Sequence, residues 1–89
     1  MKVESTESFI KIFKKRFSHR EKIQKKFDER IKKFVENPYN PILSNHTLIG
    51  KLKGYRAFSI TGDIRVIYYE YNNTAYLVDI GSHNQVYTR

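Results

Sequence analysis

The chain has 89 residues, 39% hydrophobic and 15% aromatic, with a net charge of +8 from 17 Lys and Arg against 9 Asp and Glu. That length makes one domain, residues 1–89, with a small core burying about 60–65% of the unfolded surface. Zero cysteines exclude disulfide stapling and thiol chemistry, and remove the usual ligands of a structural zinc site.

No apolar run approaches the ~18 residues of a membrane span, and no signal-peptide core opens the chain, so a reducing cytoplasm is the expected location. The charge is uneven. Residues 1–40 hold 12 Lys and Arg against 6 Asp and Glu, and residues 41–89 hold 5 against 3. An excess of this kind favours polyanions through counterion release, or an acidic protein partner. A solvated helix face that binds nothing accounts for it equally well.

Val3-Glu4 reads as a short strand. Phe9, Phe13 and Phe17, with Ile10 and Ile12 beside them, form the apolar stripe of a first helix. Ser18-His19-Arg20-Glu21 matches a capping box, which predicts that a second helix starts there. Its stripe is Ile23, Phe27, Ile31, Phe34 and Val35, and it should stop before Asn37-Pro38. The phenylalanines are read as core.

Asn37-Pro38-Tyr39-Asn40-Pro41 breaks the helix, and the chain to Gly54 reads as a loop. Three strands follow: Arg56–Ile60, Ile64–Tyr71 and Thr74–Ile80. Thr61-Gly62-Asp63 turns between the first two, and Asn72-Asn73 is a two-residue hairpin turn between the others. The predicted architecture is α+β, in the order β-α-α-β-β-β, with a helical hairpin packed on a small antiparallel sheet.

Four fragments, in order, carry a resemblance: His46-Thr47-Leu48-Ile49-Gly50, Leu52-Lys53-Gly54-Tyr55-Arg56, Asp63-Ile64-Arg65-Val66-Ile67-Tyr68, and Gly81-Ser82-His83-Asn84-Gln85-Val86-Tyr87. Together they resemble the RelE/ParE superfamily of bacterial toxins. The first and last are most similar to its YafQ-like branch, and the third is closer to RelE and YoeB. The resemblance implies the toxin of a type II toxin-antitoxin pair, neutralised by a cognate antitoxin and expected to be a monomer when free. It implies an endoribonuclease that needs no metal and cuts mRNA in the ribosomal A site by 2′-OH attack on the neighbouring phosphate. Two rivals share the fold: a ParE-like poison of DNA gyrase without nuclease activity, and a degenerate toxin that only binds its antitoxin.

Such cleavage needs a base for the 2′-OH, an acid for the leaving 5′-oxygen and a cation for charge building on phosphorus. His83 matches the C-terminal His of the YafQ-like branch and suits the acid, since an imidazole exchanges protons near neutrality. Gly81-Ser82 before it would let backbone approach a substrate; the bland reading is a surface histidine. Arg65 lies in a half-buried strand, where a permanent charge needs either a phosphate or an ion pair with Asp79 or Asp63. Tyr87 matches the C-terminal aromatic of relatives and would stack on an mRNA base, or pack its ring on the sheet edge.

His46 and Asp63 match acid/base positions of the branch, against loop and turn roles. Lys51, Lys53 and Arg56 are candidate RNA-binding residues that hold phosphates, against plain solvated surface. Where YafQ-like relatives carry an extra Asp and His, this sequence has Ala57 and Ser59, which shifts the load to His83, His46 and Arg65. His19 is assigned no chemistry. An acidic, partly disordered antitoxin segment would wrap the basic helices or cover the sheet.

Overall fold

A computed structural model describes residues 1–87. Strand β1 (Lys2–Ser5) leads through Thr6 into α1 (Glu7–Phe17), and α2 (Glu21–Glu36) folds back beside it. Strands β2 (His46–Thr47), β3 (Arg56–Ser59), β4 (Ile64–Tyr71) and β5 (Thr74–Ser82) follow, and a short helix α3 (His83–Tyr87) closes the described chain. The sheet order is β1-β5-β4-β3-β2.

Both hairpin turns form as expected. Asn72 and Asn73 take φ of 49° and 60°, the left-handed pair that a twisted two-residue hairpin demands. At the other turn, Thr61 Oγ1 accepts from the amides of Asp63 and Ile64 at 3.2 and 3.0 Å.

The sheet goes beyond a simple meander in two places. β1 joins it parallel to β5, pairing Lys2 with Thr74 and Ser5 with Leu77. The segment expected to be loop adds β2, whose His46 and Thr47 pair antiparallel with Ala57 and Arg56. Asn45 fixes this segment: its Nδ2 donates to the Pro38 carbonyl and to the buried Tyr68 hydroxyl, and its Oδ1 accepts from Arg56 Nε.

Helix α1 starts on Thr6, whose Oγ1 accepts from Phe9 N and donates to the Leu77 carbonyl at 2.7 Å. The Ser18 capping box does not form. Ser18 sits in α-helical geometry as the C-cap of α1, its N–H bonded to the Lys14 carbonyl, and α2 begins after Arg20 with no side-chain cap. An N-cap must be extended, and the chain needs Ser18 to finish α1. Gln24 of α2 instead reaches back to the carbonyls of Phe17 and Ser18 at 2.6 and 3.1 Å.

The helices cover one face of the sheet. Phe9, Phe17, Phe34, Phe58, Val66, Tyr68, Leu77 and Ile80 form the core there, with Phe13 and Phe27 packed against it. Phe34 stacks on Phe58 at 4.5 Å and meets Tyr68 edge-on. These aromatic rings bury large apolar areas and, with the aliphatic side chains between them, stabilise the fold. Ile10 and Val35, at the stripe margins, stay half exposed. Among the described residues, the opposite face is covered at one end, where Val86 of α3 packs on Ala57 and Ile67.

Candidate functional site

Strand register brings the functional side chains to this second face. His46 lies opposite Ala57, which lies opposite Ile67; one step on, Ser59 lies opposite Arg65, and Arg65 opposite Gly81. Paired residues project to the same side, so His46, Ser59 and Arg65 share the face on which α3 rests.

Helix α3 sets the placement of His83 and Tyr87. Ser82 and Gln85 form the capping box that Ser18 and Glu21 do not: Ser82 N donates to Gln85 Oε1 at 2.8 Å, and Gln85 N donates to Ser82 Oγ at 3.2 Å. His83 and Tyr87 then fall one turn apart, with ring centroids 4.6 Å apart at 67°. Together with His46, Lys51 and Leu52 they line an open cleft of about 440 Å³.

The two histidines differ. His46 Nδ1 lies 2.9 Å from the Ser44 carbonyl, an acceptor that fixes the proton on Nδ1 and leaves Nε2 as the basic nitrogen. Ser44 reaches this position in a left-handed conformation, φ 48°. His83 is exposed on the first turn of α3.

Beneath them lie two donors with nothing to bond. Arg65 Nε and Tyr87 Oη are buried and have no hydrogen-bond partner among the described residues. Arg65 is otherwise held by Ser59, to whose Oγ its Nη1 donates at 3.3 Å. Burial raises the Tyr87 hydroxyl above its usual pKa of 10.0, and the Arg65 charge partly offsets the rise. The phenol therefore stays protonated near neutrality, and each orphaned group costs about 1–3 kcal/mol until something bonds it.

Asp79, one of the carboxylates weighed as the partner of Arg65, is bonded by Arg16 of α1 at 3.3 Å; the same Nη1 donates to the Ile80 carbonyl at 2.8 Å. In the sequence, Arg16 is one of a run of cations, Lys14-Lys15-Arg16, with no local pattern that marks it out. It also corrects the reading of Gly81. A Cβ there would stand 2.6 Å from Arg16 Nη1 and 2.7 Å from Gln85 Oε1, so the glycine makes room for protein side chains and not for substrate.

Two expected members stand elsewhere. Asp63 is exposed in its turn and lines a separate hollow with Arg16, Arg20, Ser82 and Gln85. Arg56 projects toward the helix side, bonded to Asn45 and lying 5.4 Å above the Tyr39 ring. Lys53 is exposed beside the cleft without lining it. Ala57 is fully buried under α3. No group of three His, Asp or Glu that could hold a metal ion gathers among the described residues. No helix among them is long and apolar enough to cross a membrane.

A helical hairpin on one sheet face, with a cleft holding two histidines on the other, is the fold of the RelE/ParE-like class of bacterial toxins. The chain belongs to the YafQ family: the model for "Bacterial toxin of type II toxin-antitoxin system, YafQ" matches residues 1–88. Solved structures agree in fold. YafQ from E. coli strain BL21(DE3) superposes with a TM-score of 0.80 at 22% identity, covering 96% of each chain. A YoeB/ParE toxin from Agrobacterium tumefaciens gives 0.74 at 19% identity, over 93% of this chain and 99% of that one. The E. coli DinJ-YafQ toxin-antitoxin complex gives 0.76 at 22% identity, over 96% of this chain and 94% of that one. No curated protein matches by sequence.

Proposed function

We propose that this toxin is an endoribonuclease that needs no metal, cuts mRNA in the ribosomal A site and so stops translation. The observation that carries the reading is the shared cleft of His46, His83 and Tyr87, backed by the buried, unbonded Arg65 Nε and Tyr87 Oη. His46 Nε2 takes the proton of the ribose 2′-OH, and the 2′-oxygen attacks the adjacent phosphorus. Charge building on the phosphoryl oxygens is met by the Arg65 guanidinium and the Tyr87 hydroxyl. The 5′-oxygen leaves with a proton from His83, giving a 2′,3′-cyclic phosphate and a free 5′-hydroxyl. Lys51, at the cleft rim, holds a flanking phosphate, and Lys53 adds to the positive field.

The test is cleavage of ribosome-bound mRNA, mapped by primer extension. His83→Ala should cut about 10²–10⁴-fold more slowly than the parent while keeping its unfolding midpoint. Equal cleavage would remove His83 from the chemistry. Inhibition of gyrase supercoiling by the purified protein, with mRNA left intact, would establish the gyrase-poison reading in its place. As the toxin of such a pair, the protein is neutralised by a cognate antitoxin, whose acidic segment meets the Lys- and Arg-rich outer faces of α1 and α2.

A further inference from the structure

The second face of the sheet continues past the cleft. Lys51 and Leu52 line the cleft and also an adjoining groove of about 290 Å³ shared with Tyr55, Ile67, Val78 and Val86. Beyond the groove, Tyr69 of β4 lies opposite Tyr76 of β5, their rings stacked at 5.1 Å and 17°. Tyr55 meets Tyr69 edge-on at 5.9 Å. Tyr69 is one residue out of phase with Tyr68, which belongs to the helix-side core, so this row stands on the cleft side. All three tyrosines are only partly buried, since α3 covers the other end of the face.

We propose that Tyr55, Tyr69 and Tyr76 form a base-stacking platform for single-stranded RNA leaving the cleft. The proposal rests on the nuclease reading and extends it to nucleotides away from the cut. Three features select RNA as the occupant. The row is continuous with the cleft through Lys51 and Leu52. The cation at the junction, Lys51, suits a phosphate backbone. The carboxylate on the groove wall, Asp79, has Arg16 as its counterion. A base joining this row extends an aromatic stack already formed, and such stacking tolerates any base, so the platform holds the strand without reading sequence.

The test uses the full-length protein and a labelled single-stranded RNA of about twelve nucleotides, carrying 2′-O-methyl groups so that it binds without being cut. Tyr69→Ala should weaken binding about tenfold, Tyr69→Phe should stay within about twofold of the parent, and a dinucleotide probe should show no difference. In the unsubstituted protein, 4-thiouridine placed away from the cleft should photocrosslink to Tyr55, Tyr69 or Tyr76, an outcome that does not depend on any variant folding. Unchanged affinity in a folded Tyr69→Ala together with crosslinks elsewhere would overturn the platform. So would Tyr69→Ala losing affinity for the antitoxin while keeping it for RNA, which would make the row a protein-docking surface. Tyrosine-dependent RNA binding by a protein that leaves ribosomal mRNA uncut would sink the nuclease reading and spare the platform; cleavage with tyrosine-independent binding would do the reverse.

Discussion

Gly81→Ala adds one methyl group and disturbs two contacts that hold the end of the chain in place. The backbone itself does not object: the left-handed glycines are Gly50 and Gly54, not Gly81. On chain entropy alone the substitution should gain about 0.4–1 kcal/mol. The loss is steric. The new Cβ would stand 2.6 Å from Arg16 Nη1, 2.7 Å from Gln85 Oε1 and 3.0 Å from Gln85 Cβ, where ordinary contact begins at 3.4 Å. Moving Arg16 stretches its bonds to Asp79 and Ile80. Charged hydrogen bonds of this kind contribute about 1.5–3 kcal/mol when buried, less here because the Arg16 side chain is 23% exposed. Moving Gln85 opens the α3 capping box, worth about 0.5–1 kcal/mol.

The net expectation is a loss of about 1–2 kcal/mol, or about 5–15 °C in Tm for a domain of this size. Thermal and urea unfolding measure it. In an Arg16→Ala background the same methyl group meets only Gln85, so the penalty should shrink, with a coupling energy of about 1 kcal/mol between the two sites. A Gly81→Ala protein as stable as the parent, or equal penalties with and without Arg16, would refute this account of the glycine.

Thr6→Ala should cost about 1–2 kcal/mol, because one hydroxyl both caps α1 and bonds the Leu77 carbonyl; Thr6→Ser should recover most of it in the same unfolding assay, and a Ser variant as weak as Ala would show that the hydroxyl is idle. Burial raises the phenols of Tyr68 and Tyr87 above 10.0 in the folded state, so the stability they contribute is complete below about pH 10 and falls as pH rises through their folded values. Absorbance titration should find at least two of the seven tyrosines ionising late and together with unfolding; all seven ionising before any loss of structure would contradict their burial.

The parts of the fold legible in the sequence are those set by short-range pattern. The Phe9-Phe13-Phe17 stripe, the Asn72-Asn73 turn and the β-branched runs of β4 and β5 each report on neighbours within a few residues, and each forms as read. What escapes depends on partners far along the chain. Val3-Glu4 announces a strand but not its parallel pairing with β5. Arg16 looks like one more surface cation because nothing local ties it to Asp79, 63 residues away.

The capping boxes make the same point within one motif. Ser18-His19-Arg20-Glu21 and Ser82-His83-Asn84-Gln85 have matching spacing, yet only the second closes. Before Ser82 an extended strand delivers the dihedral angles a cap needs; before Ser18 a helix does not. Of the candidate residues, His46, His83, Tyr87 and Lys51 line one cleft with the Arg65 charge behind them, whereas Asp63 and Arg56 project elsewhere. Strand phase decides Arg56, one residue away from Ala57 and hence on the other side of the sheet. The tyrosine row is spread over residues 55, 69 and 76, and only strand register assembles it.

The parallel seam between the opening strand and β5 has a consequence for synthesis. Thr6 and Leu77, 71 residues apart, must meet before α1 is anchored, so the helical hairpin emerges from the ribosome long before the surface it covers. Truncated products ending ahead of that seam leave their phenylalanine face bare. Such fragments are substrates for chaperones and proteases. Packing of the helical hairpin on the finished sheet therefore waits for the strand that also carries α3.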